Sequence, residues 1–418
     1  MTVLDLLVIN TGTVHTCAGA FPRRGTQMLD TAPVKGAVVA CVGEEIAYIG
    51  PQEGLERAGL CIGSDTLVLD ANGGDVVPGF VDSHAHVIWL GDRRPEFAEM
   101  LRGVSYAEIT ARGGGINTTV RATRDAPVRD LVATGLDRLN RMLAFGSTTV
   151  ESKSGYALTL EGELRMLEAG ALLEQMTPQN LVHTFLGAHL IPSEYKNDRK
   201  GFVDLVVDQM LPAVVGQGIA QFCDVFMEFN AFNRAETERI LRTAMAMGLK
   251  PRLHADELSD TGAAALAVEL GAASCDHLEY ISDESIRLLA SSGTVATLMP
   301  GVSFYLNMES HAPFKRLYEA GCAIAVATDF NPGTSPSLSI QGAFAVAVLG
   351  MRMPVEAALI AITSNAAYSL GIHDRVGSLE PGKRADIVVL KGTPVDMAYH
   401  WGENAAAAVI CSGMLIPR

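Results

Sequence analysis

The sequence predicts an α/β fold: a (β/α)8, TIM-like barrel with a small β-sandwich domain built from both chain ends. Three observations predict it. A long central stretch alternates short apolar strands with amphipathic helices, which calls for a parallel sheet clothed in helices. Both ends of the chain instead show short alternating runs broken by Gly, Pro and Asn, the pattern of antiparallel strands. Polar residues recur at the C-terminal ends of the central strands, the face on which such barrels carry their chemistry.

Residues 1–75 contain LLVIN, AVVACVG, EIAYIG and TLVLD with no helical periodicity, and the pattern returns within 372–418 in ADIVVLKG and AAVICSGMLI. These two segments are expected to form one sheet domain, with residues 76–371 forming the barrel. Eight strands are expected, near VVPGFVDSHAHV, GSTTVESKS, LVHTFLGAH, QFCDVFMEF, LKPRLHAD, ASCDHL, TVATLMP and AIAVATDF. Helices are expected at 125–144, 160–176 and 234–247 among others. Eight such units in ~250–300 residues match the size of this barrel. The alternative, a doubly wound open sheet, lacks its commonest phosphate-binding signatures here, since no G-x-G-x-x-G follows a strand and no G-x-x-x-x-G-K-[ST] occurs.

A formal charge of -15 repels polyanions and argues against nucleic acid or an anionic membrane as partner. An anionic substrate would need a local arginine. Apolar residues make up 48% of the chain and mean hydropathy is +0.22, yet no apolar run reaches the ~18 residues that a membrane helix needs. The segment MTVLDLLVIN has no basic n-region and carries Asp5, so no secretion signal is read and a cytoplasmic location is expected. Seven scattered cysteines without a C-x-x-C pair fit reduced thiols. The Asn117-Thr118-Thr119 sequon is then without consequence. A homodimer is the ordinary expectation for a soluble enzyme of this size.

The chemistry lies at the strand ends. His84 and His86 close the first strand, and side-chain alternation points both the same way, about 6.6 Å apart. His254 ends the fifth strand in LHADE, His277 the sixth in CDHLE, and Asp329 the eighth in VATDFNPG. Each taken alone reads as a buried core histidine or a turn aspartate. Their joint placement on strands one, five, six and eight points to a metal site, and nitrogen with carboxylate ligands suits zinc or iron. A cation held by His84, His86, His254 and Asp329 would acidify a bound water, so hydrolysis follows as the reaction class. Asp329 or Glu257 could take the water's proton, with His277 stabilising the oxyanion or passing a proton. Glu228, at the end of the fourth strand, is an ambiguous further carboxylate.

The segments VDSHAHV, LHADE, CDHLE, ATDFNPG, TSNAAYSLGI and GSLEPGKRADIVVL resemble the amidohydrolase superfamily over nearly the whole chain. Within it, GDRRPEFAEML, GVSYAEI, ARGGGI, SKSGYAL, TFLGAHLIPSEY and ATDFNPGTSP are similar to the branch that opens an imidazolone ring in histidine degradation. That resemblance implies hydrolysis of 4-imidazolone-5-propanoate to N-formimidoyl-L-glutamate by one zinc or iron ion per chain. It implies His84, His86, His254 and Asp329 as metal ligands. It also implies Arg93, Tyr106, Tyr156, His189, Glu257, Asn331, Gly333 and Thr334 around a small substrate that carries a carboxylate. Arg93 offers the fork of donors such a carboxylate needs. Thr334 stands where the family pattern often has Ser, and the hydroxyl is kept. Some amidohydrolases carry a lysine on the fourth strand whose carbamate bridges two metals. QFCDVFMEF has none, and Lys153, on the second strand, is no substitute. The competing expectations are a related amidohydrolase acting as an aromatic deaminase or on another cyclic ureide, and a catalytically dead scaffold.

Overall fold

The computed structural model describes residues 1–105, 108–109 and 112–417. At its centre lie the eight barrel strands: Phe80–Asp82, Ser147–Lys153, Asn180–Ala188, Phe222–Met227, Lys250–Ala255, Ser274–His277, Val295–Leu298 and Ile324–Val326. Each pairs in parallel with the next, in sequence order. Parallel strands need helical crossovers, and the expected ones are present as Val128–Ala144, Leu160–Glu174 and Arg234–Ala246. Local chemistry sets their starts. The Thr159 hydroxyl accepts from Gly162 N, and Asn233 forms a reciprocal capping box with Glu236. Pro127, extended at ψ 143°, delays the first of the three to Val128.

The first and last strands are joined through the segments that follow them. Ala85 bridges Phe330, Asp329 N donates to His84 O at 2.9 Å, and His86 N donates to Phe330 O at 2.8 Å. The Asp82 carboxylate also accepts from Thr328 N (3.0 Å) and Thr328 Oγ1 (2.6 Å). The barrel seam and the seat of three expected ligands are therefore the same piece of structure.

The expected first strand divides at Gly79. Val76–Pro78 pairs with Ile387–Leu390 in a sheet of the chain ends, and only Phe80–Asp82 enters the barrel. A β-carbon at Gly79 would run into Thr148 and Asp386, so only glycine lets the chain pass. The ends form a six-stranded and a four-stranded sheet, whose inner faces meet over Leu6, Val8, Val39, Val76, Ile387 and Ile410. The expectation of purely antiparallel strands is corrected there. Leu6–Ile9 runs parallel to Leu67–Asp70, and Val14 pairs in parallel with Val76.

All seven cysteines are unpaired, and no helix of the described residues is long and apolar enough to cross a membrane. Every residue of Ser147–Lys153 is buried, as are Phe222–Asp224 and Pro251–Ala255. Charged residues on these strands must therefore find partners inside the barrel.

Candidate metal centre

The mouth of the barrel gathers the imidazoles of His84, His86, His254 and His277 with the carboxylate of Asp329, all nearly fully buried. His84 Nε2 and His86 Nε2 each lie 3.4 Å from Asp329 Oδ1, and His84 Nε2 lies 3.1 Å from His254 Nε2. Two groups of ligand atoms result, one from His84, His86 and Asp329 and one from His84, His254 and His277, each within 4.8 Å and sharing His84. The backbone is bent to reach this arrangement. Asp329 has φ 47° and His277 φ 83°, values that cost a non-glycine residue conformational energy and that cluster at functional sites.

The protons on these rings follow from what lies behind them. His84 Nδ1 is 2.7 Å from Asp276 Oδ2, and a carboxylate only accepts, so Nδ1 carries the proton and Nε2 presents a lone pair. His254 Nδ1 lies 3.0 Å from Asp224 Oδ2, off the line of an ideal hydrogen bond, with the same consequence. Two lone pairs face each other at 3.1 Å, which repels unless a cation lies between them. The edge of a tetrahedron built on zinc–nitrogen bonds of ~2.05 Å is roughly 3.3 Å. The spacings of 3.1 and 3.4 Å therefore fit a metal ion, and the donor set is one that zinc or iron takes.

Beneath the imidazoles lies a floor of fully buried charge that sequence reasoning missed. Lys153 Nζ meets Asp224 Oδ2 at 2.7 Å, Glu151 at 3.1 Å and Asp276 Oδ2 at 3.8 Å. Arg252 meets Glu151 at 3.2 Å and Asp276 Oδ2 at 3.3 Å. Burial alone would raise the Asp224 carboxyl, but His254 and Lys153 outweigh it and hold it well below the usual carboxylate range. The available signal was a charge in the middle of an otherwise apolar strand, as in QFCDVFMEF, which a barrel interior tolerates only when paired.

Around the mouth, His189 stacks on His86 at 5.5 Å between ring centroids, and Tyr156 stands edge-on to both. His189 Nδ1 donates to Gly155 O at 3.0 Å, which leaves Nε2 as an acceptor. Burial, with His86 and His254 close by, pushes His189 down to about 3, so the ring is neutral. Glu257 approaches His277 Nε2 at 3.8 Å; burial raises its carboxyl above the ordinary value, against the pull of His277. On His277 the carboxylates Glu257, Asp329, Glu279 and Asp276 overcome burial and raise the ring to about 9.

Arg93 is buried at the start of the helix Arg94–Met100, with Nε donating to Glu96 at 3.0 Å. Its guanidinium lies so close over Gly333 that a β-carbon there would collide with it. Asn331 spends its amide on the turn: Nδ2 donates to Asp329 O (2.8 Å) and Oδ2 (3.0 Å), while Oδ1 accepts from Gly333 N (2.8 Å) and Thr334 N (2.7 Å). It thus orients the Asp329 carboxylate. Tyr106 lies outside the described residues. The Glu228 oxygens are taken by Phe229 N, Leu258 N, Ser259 N and the Ser259 hydroxyl, and Glu228 belongs to neither group of candidate ligands.

A parallel barrel whose seam holds converging imidazoles and a carboxylate is the architecture of a metal-dependent hydrolase. The amidohydrolase family model matches residues 115–413, which leaves His84 and His86 before the matched span. The likeness to full-length relatives spans that region as well. A protein of Symbiobacterium thermophilum named imidazolonepropionase is 46% identical over 100% of this chain and 98% of its own length. One of Myxococcus xanthus with the same name is 42% identical, again over 100% of this chain and 98% of its own. Among solved structures, an E. coli guanine deaminase matches with TM-score 0.69 at 15% identity, covering 98% of this chain and 99% of that one. A zinc-bound adenosine deaminase of Xanthomonas campestris matches with TM-score 0.68 at 17% identity, over 99% and 93%. These two share the fold. The chain belongs to the amidohydrolase family and, within it, to the imidazolonepropionases.

Proposed function

We propose that the protein hydrolyses 4-imidazolone-5-propanoate to N-formimidoyl-L-glutamate, the third step of histidine degradation, with one zinc or iron ion held by His84, His86, His254 and Asp329. The observation that carries the metal is the 3.1 Å approach of two imidazole lone pairs, each with a carboxylate behind it. The full-length likeness to imidazolonepropionases supports the substrate.

An ion held by His84, His86, His254 and Asp329 would supply a water acidic enough to be deprotonated near neutral pH and would polarise the ring carbon that is attacked. The chain's own groups do the rest. Glu257 and Asp329 are the carboxylates proposed to take that proton, and burial raises both carboxyls above the ordinary value. His277, which faces Glu257, can steady the developing oxyanion or hand a proton to the leaving ring nitrogen. Neutral His189 presents Nε2 to a ring N–H, and Tyr156 closes the same wall. Arg93, whose guanidinium lies over Gly333, would clamp the propanoate. In an acidic protein that local cation is what draws the substrate's charge into the site. A cytoplasmic setting accords with the unpaired cysteines.

The test is an assay of imidazolone propanoate beside neutral aminopurines and other cyclic ureides, with metal analysis of the same preparation. Turnover of imidazolone propanoate with about one zinc or iron per chain is expected, and His254→Ala should abolish both. Turnover confined to another member of the panel would overturn the substrate, and full activity without metal would overturn the mechanism.

A further inference from the structure

Lys153 has no place in the chemistry above, yet its ammonium is completely buried directly beneath the centre. We propose that Lys153 is a positioning residue, which holds the Asp224 and Asp276 carboxylates against the outer nitrogens of His254 and His84 and so sets the geometry and affinity of the metal centre. The inference rests on the metal reading of the preceding subsection.

The contacts are specific to single atoms. Asp224 Oδ2, 2.7 Å from Lys153 Nζ, is the same oxygen that lies 3.0 Å from His254 Nδ1. Asp276 Oδ2, 3.8 Å from Nζ, is the same oxygen that lies 2.7 Å from His84 Nδ1. One ammonium therefore serves both supports, hydrogen-bonded to Asp224 and within ion-pair distance of Asp276. The supports differ in what else restrains them. Asp224 Oδ1 accepts from His254 N at 3.1 Å, which ties that carboxylate to its own strand neighbour. Asp276 Oδ1 has no hydrogen-bond partner, so the carboxylate behind His84 is held through Oδ2 alone, by His84, Arg252 and Lys153.

Charge balance points the same way. Three buried carboxylates, Glu151, Asp224 and Asp276, face two buried cations, Lys153 and Arg252. Acidic groups therefore outnumber basic ones beneath the place where the ligand nitrogens converge, which favours a cation above them. A buried salt-bridge cluster is poor evidence of stability, because desolvation of each ion opposes the attraction. Ligand orientation is the use that accounts for its placement: carboxylates behind metal-binding histidines fix the tautomer and the ring plane. Lys153 Nζ donates to Glu151 (3.1 Å) and Asp224 (2.7 Å), with Asp276 within ion-pair distance at 3.8 Å, so Lys153 is engaged as a cation.

The experiment compares the full-length protein with Lys153→Met, Asp224→Asn and the double variant. The zinc dissociation constant is measured by chelator competition on metal-stripped protein, and the visible spectrum is recorded after cobalt loading. Lys153→Met should weaken zinc by about 10- to 100-fold, the usual loss when an outer support is removed, and should shift the cobalt bands. The double variant should lose less than the product of the two single losses, because part of the lysine's effect runs through Asp224. Lys153→Gln, which keeps a donor, carries the same comparison if Lys153→Met does not fold. A folded variant with zinc affinity within twofold of the parent and an unchanged cobalt spectrum would overturn the proposal. So would a double variant whose loss is the full product. A merely structural lysine would lower the melting temperature of the stripped protein and leave both readouts where they were. Parent protein that takes up no ion would overturn the metal reading itself, an outcome distinct from either.

Discussion

At the scale of single residues, the site works by assigning each polar group one role. Arg93 is proposed as a carboxylate clamp on its motif, and the fold buries it against Gly333. Removing a charge-assisted pair costs about 1.5–3 kcal/mol, so Arg93→Ala should lower kcat/KM roughly 10- to 150-fold, chiefly through KM. Arg93→Lys should recover only part of this, since a point charge cannot make the fork. Steady-state kinetics with bound metal confirmed would check both. His189 gives a pH effect of definite sign. Its ring is held at about 3 when folded, against an ordinary value of 6.5, so between these values the unfolded chain binds the extra proton. Its contribution to stability is therefore complete above pH 6.5 and is lost as pH falls toward 3. Denaturant titrations from pH 7 to 4 should show a shallower acid decline for His189→Gln than for the parent. The neutrality of His189 was not legible in the sequence, because it depends first on burial and then on His86 and His254, which are distant along the chain.

At the scale of elements, the decisive piece is the seam between the first and last barrel strands. Asp82, three residues before Ala85, receives the backbone N–H and hydroxyl of Thr328, one residue before Asp329. Asp82→Ala would leave two buried donors unsatisfied, at about 1–3 kcal/mol each, and would loosen His84 and Asp329 relative to one another. Denaturant unfolding of the metal-stripped protein should show the first effect and weaker zinc binding the second. The turn after the seam is equally constrained. Gly333→Ala should push the Arg93 guanidinium aside and raise KM while metal content stays at the parent level, a separation that an assay with parallel metal analysis would reveal. The strand-end histidines were readable here because alternation and strand order follow local pattern. The Asn331 amide was not: the sequence suggests a donor aimed at the ligand, whereas the turn folds it back onto Asp329.

At the scale of the whole molecule, a metal that binds only the folded state stabilises it by mass action, about 4 kcal/mol when free metal exceeds the dissociation constant a thousandfold. Chelation should therefore lower the melting temperature and added zinc restore it; identical melting curves would argue that the centre binds no ion. The sandwich of chain ends and the barrel are joined at Gly79, where one apolar run serves both, and a pattern of alternating residues cannot mark that division. By itself the sequence determined the alternation of strands and helices, the histidines and aspartate at the strand ends, and the acidic charge that makes a local arginine necessary, because each is written in residues close together in the chain. Only the tertiary structure decided which oxygens stand behind which imidazoles and that Lys153 and Arg252 lie under the centre. Barrel closure brings residues 151, 153, 224, 252 and 276 into one buried volume, and only there does each charge need, and find, its particular partner.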